Sequence, residues 1–302
     1  MQPARARKLM VRLAVAAVLL QSVFGYDHTG VLHGPLQVRQ ALRHVPGMAL
    51  NESRVDVWYP VASEGARPFK FLCFAHGAGG GWVEQQFVYA DLMHMVASWG
   101  YVIAAPRACV DGVCPEDNYP QQQTNVIDWA KEQADDEIFE GVDFSGGVGI
   151  FGHSMGGRAS LQNAAADRAA AHDVRAAVML HAFTPTDMAV PAIPFLAFTG
   201  TNDTTAEPWM TLRWYDKVRS GPRGLVNRVG AGHQEPSNWE GWAPFDRFNP
   251  KMAQYVVGWF RLFLDRDADD GVDWRALVAG DGALSLCHGG DGAMARCEVV
   301  GA

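Results

Sequence analysis

Positive charge is scarce in this chain: 25 Lys+Arg face 33 Asp+Glu in 302 residues, a formal net charge of -8 at pH 7. A phosphate backbone is held chiefly by Lys and Arg, so this balance speaks against nucleic acid as a partner. Long hydrophobic runs are missing as well. The N-terminal apolar segment, centred on Leu13 to Leu20, is broken by Arg12 and falls short of the roughly 20 residues that span a bilayer, so stable membrane insertion is not expected. No internal repeat, coiled-coil heptad or low-complexity linker is visible, and Gly and Pro are spread as punctuation between apolar runs. No G-K-[ST] follows the Gly-rich segment near residue 80, which removes the P-loop way of cradling a phosphate. Cysteines number only five.

What is present begins with a leader. Arg5, Arg7 and Lys8 precede the apolar segment, and Gly25 then gives way to polar Tyr26-Asp27-His28, the layout of a secretory signal peptide over residues 1–25. Its removal takes away four cationic and no anionic groups, deepening the net charge to about -12 by the same formal count. Residues 26–302, in a chain that is 48% hydrophobic, can bury one large core, and a single domain is expected. A secreted, extracellular or periplasmic protein permits disulfides. Cys109 and Cys114 bracket a short loop, and Cys287 and Cys297 bracket a Gly-rich tail. Cys73 sits inside the apolar run Phe71 to Ala75, where a buried free thiol is common. The reading pairs 109 with 114 and 287 with 297, although spacing alone does not prove connectivity.

Short β-type runs alternate with longer helical ones. Strands are expected over Arg54 to Tyr59, Phe71 to Ala75, Tyr101 to Ala105, Val148 to Phe151, Ala176 to Leu180, Phe195 to Thr199 and Leu225 to Val229. Helices are expected over Phe87 to Trp99, Thr124 to Gln133, Met155 to Ala166, Met210 to Val218 and Pro250 to Leu264. Such alternation implies right-handed crossovers and an α/β fold with a mostly parallel central sheet flanked by helices on both faces. Ligands then gather beyond the carboxyl ends of the strands.

Three polar residues fall at such ends. Gly152-His153-Ser154-Met155-Gly156 is a G-x-S-x-G between a strand and a helix. A hydroxyl becomes a nucleophile only when a tight turn presents it and a base takes its proton, and flanking glycines permit that turn. Alone the pattern is weak in a chain with 32 Gly. Asp203 follows the run Phe195 to Gly200, and His233 follows Leu225 to Val229 and Gly230-Ala231-Gly232. The order Ser, Asp, His is that of the α/β-hydrolase fold, which gives Ser154 the nucleophile's role, His233 the base's and Asp203 the orienting acid's. Asp187, which also follows a strand, is the rival acid. His76-Gly77-Ala78-Gly79-Gly80-Gly81 follows another strand and supplies an oxyanion hole from the backbone N–H groups of Ala78 and Met155.

With these residues in place the chain resembles the α/β-hydrolase superfamily, and within it the secreted cutinase-like branch that includes bacterial polyester (polyethylene terephthalate) hydrolases. The likeness runs from about Phe69 to the C-terminus. It rests on Gly152-His153-Ser154-Met155-Gly156-Gly157, Gly200 to Ala206, Gly232-His233, and Trp259 to Asp265 followed by a Cys pair. The resemblance implies hydrolysis of carboxylic esters, small or polymeric, through an acyl-enzyme, with no metal or organic cofactor. It also supports the 287–297 disulfide, and a monomer is expected. Two positions depart from that branch. Ala78 stands where an aromatic clamps the acyl group, and His181-Ala182-Phe183 stands where a Trp follows the strand after the nucleophile helix. Phe183 and Trp82 are therefore the candidate substrate-binding residues, with Trp239 a further candidate for a compensating aromatic surface.

The segment from His181 to Pro194 is too short for a multi-helix cap, so a site open to solvent is expected. Asp265 to Gly271 resembles a calcium loop, but its Gly is one place late and no Glu closes it; a solvated acidic helix end is the reading. Asn51-Glu52-Ser53 is a formal glycosylation sequon, and Asn202-Asp203-Thr204 is discounted because a glycan there would block the site. Chlorophyllase-like or platelet-activating-factor-acetylhydrolase-like esterases on the same scaffold are the alternative, and a non-catalytic binding module is a third. The last usually lacks one member of the trio, and all three are available here.

Overall fold

The computed structural model describes residues 31–46, 53–61, 68–79, 85–108, 118–238, 248–288 and 293–302. The expected leader, Asn51, Trp82, Trp239, Cys109 and Cys114 lie outside them.

Nine strands among the described residues make one sheet: β1 (Val38–His44), β2 (Arg54–Pro60), β3 (Lys70–Ala75), β4 (Tyr101–Pro106), β5 (Val148–His153), β6 (Val174–Leu180), β7 (Phe195–Gly200), β8 (Arg223–Arg228) and β9 (Met294–Val300). Their order is β1-β2-β4-β3-β5-β6-β7-β8-β9. The six central strands, β4 through β8, are parallel to one another, while β1, β2 and β9 join antiparallel at the edges. The helices are α1 (Gln85–Val88), α2 (Ala90–Ala97), α3 (Asn118–Lys131), α4 (Met155–Asn163), α5 (Ala166–Ala171), α6 (Pro208–Tyr215), α7 (Pro250–Phe263) and α8 (Trp274–Ala279).

Side chains alternate along a strand, so each central strand feeds two cores. Leu72, Phe74, Phe151, Val178 and Leu180 pack with Met93 and Val96 of α2 and Val256, Trp259 and Phe260 of α7. Phe71, Cys73, Ile150, Ala177 and Met179 pack on the other side with Val126 and Ile127 of α3, Leu161 of α4 and Trp214 of α6. Burial on both faces explains why these strands read as unbroken apolar runs. Each large side chain so buried contributes about 1.5–3 kcal/mol.

Several boundaries differ from expectation. Helix α3 begins at Asn118, before Thr124, because Pro120 is tolerated in a first turn whose N–H groups need no intrahelical acceptor. The expected helix Met155 to Ala166 divides into α4 and α5, and the Ala164 carbonyl at the break accepts the Ala192 N–H at 2.9 Å. Residues 181–194 contain no helix, as the short connection requires. The Cys287–Cys297 disulfide is formed, and Cys73 is free and buried. The acidic segment after α7 is only in part the solvated helix end expected: Asp267 and Asp269 are exposed, but Asp265 and Asp270 are not. Asp265 is 4% exposed and ion-paired with Arg261, while Asp270 accepts from Arg261 Nε and Trp274 Nε1, each at 2.9 Å. The reason is Arg261 itself: a buried guanidinium, lying on the Tyr101 ring, requires anionic partners.

Candidate active site

Ser154 occupies the turn between β5 and α4 at φ 57, ψ -118, a left-handed conformation for a residue with a side chain. Such a conformation costs on the order of 1–3 kcal/mol and persists only where neighbours over-determine it. They do so here. The Ser154 N–H donates to the Leu180 carbonyl, and the Ser154 carbonyl accepts from Arg158 and Phe183 N–H, all within 3.0 Å. Gly156 makes the close packing possible: a Cβ there would lie 2.0 Å from the Ala75 carbonyl oxygen of β3. The first turn of α4 therefore touches the end of the neighbouring strand.

Across the sheet end, His233 Nε2 lies 2.9 Å from Ser154 Oγ, and His233 Nδ1 lies 2.9 Å from Asp203 Oδ2. A carboxylate only accepts, so Nδ1 carries the proton and Nε2 is left to accept from the serine hydroxyl. Asp203 Oδ1 takes the N–H groups of Thr205 (2.9 Å) and Ala206 (2.7 Å). Burial opposes the charge on Asp203, but hydrogen bonds from His181 and His233 outweigh it and hold the carboxyl well below the usual range. The rival acid, Asp187, is 75% exposed in its side chain and pairs with Lys217 and Arg213, away from the imidazole.

The loop after β3 is tied to the same place. A Cβ on Gly77 would come within 3.2 Å of the Ser154 Cβ, so this loop abuts the serine. The Gly77 N–H donates to Tyr89 Oη at 3.0 Å, and Tyr89 in turn lies 2.8 Å from His153 Nδ1. His153 Nε2 is 2.8 Å from the His233 carbonyl, which can only accept, so Nε2 is protonated and Nδ1 receives the Tyr89 proton. Burial pushes the His153 pKa far down, consistent with a neutral ring in this chain of bonds. Ala78 follows in an exposed turn, and Met155, as the first residue of α4, has an N–H with no intrahelical acceptor.

Phe183 is half-buried one hydrogen bond from Ser154. His181, Glu235, Tyr89 and His153 were not anticipated from sequence. His181 directly follows β6, at the same sheet end as Ser154, and Glu235 lies two residues beyond His233; those placements were the available signal. His181, Asp203 and His233 present ligand atoms within 4.8 Å of one another, near enough for a cation. Those atoms are engaged in hydrogen bonds among themselves and with Ser154 and Glu235, so coordination would require breaking them.

A family model described as PET hydrolase-like matches residues 45–271. That span contains β2 to β8 and all of Ser154, Asp203 and His233. No curated protein matches. The nine-stranded, mostly parallel sheet with helices on both faces is the α/β-hydrolase fold of that family.

Proposed function

The chain belongs to the PET hydrolase-like family, whose members act on esters, and from that premise we propose that it is a secreted serine hydrolase cleaving carboxylic ester bonds through an acyl-enzyme, with a cutinase or polyesterase type of substrate. The observation that carries this reading is the pair of 2.9 Å contacts that His233 makes, one to Ser154 Oγ and one to Asp203 Oδ2.

Ser154 Oγ attacks the ester carbonyl while His233 Nε2 takes its proton. Asp203 keeps the Nδ1–H tautomer and stabilises the imidazolium that forms. The carbonyl oxygen becomes negative in the tetrahedral intermediate and is met by the N–H groups of Ala78 and Met155; loss of one such donor typically costs on the order of 3 kcal/mol. Collapse expels the alcohol, protonated by His233, and leaves an acyl group on Ser154. Water, activated by the same imidazole, releases the acid. Phe183 forms one wall of the acyl site, and Trp82, directly after the glycine segment in sequence, is the second candidate for binding the substrate. Secretion is supported by the leader over residues 1–25 and by the Cys287–Cys297 disulfide.

A fluorescent organophosphonate tests the central step. Wild type should be labelled on Ser154 and Ser154→Ala should not; an unlabelled, folded wild type would remove the reading. Rates on p-nitrophenyl esters from acetate to palmitate, beside product release from a polyester film, then assign the substrate. A sharp preference for chlorophyll or an acetyl-phospholipid would favour the chlorophyllase-like or acetylhydrolase-like alternative.

A further inference from the structure

Asp203 Oδ2 has two imidazole partners. His233 Nδ1 and His181 Nδ1 each approach it at 2.9 Å, and the other His181 nitrogen, Nε2, lies 3.0 Å from Glu235 Oε2. Glu235 Oε1 accepts in turn from Arg228 Nε and Asn249 Nδ2, both at 2.7 Å. The hydrogen-bonded line from Ser154 thus does not stop at the acid but continues through His181 to a second carboxylate and a guanidinium. His181 is fully buried, and its partners are nearly so.

Chemistry fixes the state of the His181 ring. A neutral imidazole has one N–H and one lone pair, and a lone pair aimed at an ionised carboxylate is repelled. With a carboxylate at each nitrogen, both nitrogens carry protons. Burial opposes this, yet the bonds to Asp203 and Glu235 prevail and raise the ring's pKa to about 9. Two consequences reach His233. The Asp203 carboxylate has about four lone-pair positions, and four donors fill them: Thr205 N–H, Ala206 N–H and two imidazoles. It has no free rotation by which to release His233. A positive charge also lies close by, with ring centroids of His181 and His233 6.2 Å apart, and that charge opposes protonation of the base.

We propose that His181 is a positioning residue for the hydrolytic site: through Asp203 it locks the carboxylate that orients His233, and it places a buried positive charge beside that base. This inference rests on the esterase reading for its kinetic consequence. The groups facing His181 are Asp203 beyond β7, His233 and Glu235 beyond β8, Arg228 at the end of β8 behind Glu235, and the neutral ring of His153 at the end of β5, whose centroid is 6.5 Å away.

Two substitutions separate orientation from charge. His181 has φ 47, where Asn is among the better tolerated residues, and His181→Asn keeps a neutral donor toward Asp203 while removing the cation. Its kcat should stay within about threefold of wild type, while the acid limb of kcat/KM moves up by about one to two pH units, as expected when a unit charge is removed from roughly 6 Å at an effective dielectric of about 20. His181→Ala loses both functions, so kcat should also fall by about tenfold or more with KM little changed. A 15N-imidazole NMR titration in the Ser154→Ala background reads the His181 state without turnover: its ring should be doubly protonated at pH 7.

A singly protonated His181 ring at pH 7 overturns the proposal. So does a lowered melting temperature in His181→Asn with the acid limb of kcat/KM unmoved, which is the signature of a merely structural residue. If the alanine variant does not fold, the asparagine variant and the NMR titration decide. Wild type inert toward esters and phosphonate, with the NMR pattern as expected, overturns the esterase reading and leaves the His181 assignment standing.

Discussion

Asp203 is a single carboxylate placed under two imidazoles, and its charge is the quantity each of them needs. Asp203→Asn preserves volume but presents an amide that is neutral and can donate, so His233 loses the partner that holds its proton on Nδ1. A wrong tautomer leaves Nε2 protonated and unable to accept from Ser154 Oγ. The expected outcome is a fall in kcat on p-nitrophenyl butyrate of about 10³- to 10⁴-fold with KM little changed. Asp187→Asn is the control, because that side chain is exposed and its ion pairs are on the surface; kcat should stay within about twofold of wild type. A result in which Asp187→Asn is the damaging change and Asp203→Asn retains activity within tenfold would reassign the acid. Ser154, Asp203 and His233 were legible from sequence because each lies just beyond an apolar strand, where an α/β sheet gathers its ligands. His181 and Glu235 were not, since a single His or Glu near a strand end carries no pattern of its own and only the fold shows that they face each other.

The junction of β3, β5 and α4 sets the position of both Ser154 and the loop beside it, and it depends on backbone meeting backbone. At Gly156 an added methyl group would meet the Ala75 and His76 carbonyls at 2.0 and 2.6 Å, groups that cannot rotate away as a flexible side chain could. Gly156→Ala must therefore lift α4 from β3. Overpacking of this kind costs typically about 1–3 kcal/mol, and with rigid backbone on the other side the upper end is expected. Urea denaturation should show the loss as a lower midpoint at unchanged slope, and organophosphonate labelling of the folded fraction should slow. A variant as stable as wild type would mean that the helix has room which this packing denies it. The central strands could be read from sequence because two-sided burial makes them continuous apolar runs. Edge strands β1 and β9 could not: Val38–His44 mixes half-buried residues with exposed Arg39, Leu42 and His44, and Met294–Val300 is half-buried at best, so neither carries an apolar run. Helix α8, six residues long and capped by Asp273, is too short to show a helical period.

At the scale of the whole molecule, the buried line from His233 to Arg228 makes stability depend on pH in a direction that can be worked out. The His181 pKa is about 9 in the folded protein and about 6.5 in an unfolded chain. A raised folded value stabilises fully below pH 6.5, where both states bind the proton strongly enough for the difference to be expressed, and that contribution is lost as pH rises through 9. The shift corresponds to about 3 kcal/mol, and burial leaves little solvent to screen it. Asp203 and Glu235 act in the opposite sense: burial opposes their charge, hydrogen bonds from His181 and, for Asp203, from His233 prevail, and their folded pKa values lie below the ordinary ones. Their contribution is present above about pH 4.5 and lost as pH falls through the lowered values. Stability should therefore be highest near about pH 6.5: burial lowers the His153 and His76 pKa values, so these neutral rings cost stability as pH falls below that, and the His181 contribution is lost as pH rises toward 9, a span in which ordinary carboxylates and lysines do not titrate. Urea midpoints at pH 6, 7.5 and 9 measure this directly, and His181→Asn should flatten the alkaline decline and weaken the acid one, because His181 also holds the Asp203 and Glu235 values down. Equal midpoints at pH 6 and 9 in wild type would show that His181 is not held as a cation. A shift of the kinetic acid limb in His181→Asn would then need another source, because the alkaline decline and that shift are traced to one buried charge.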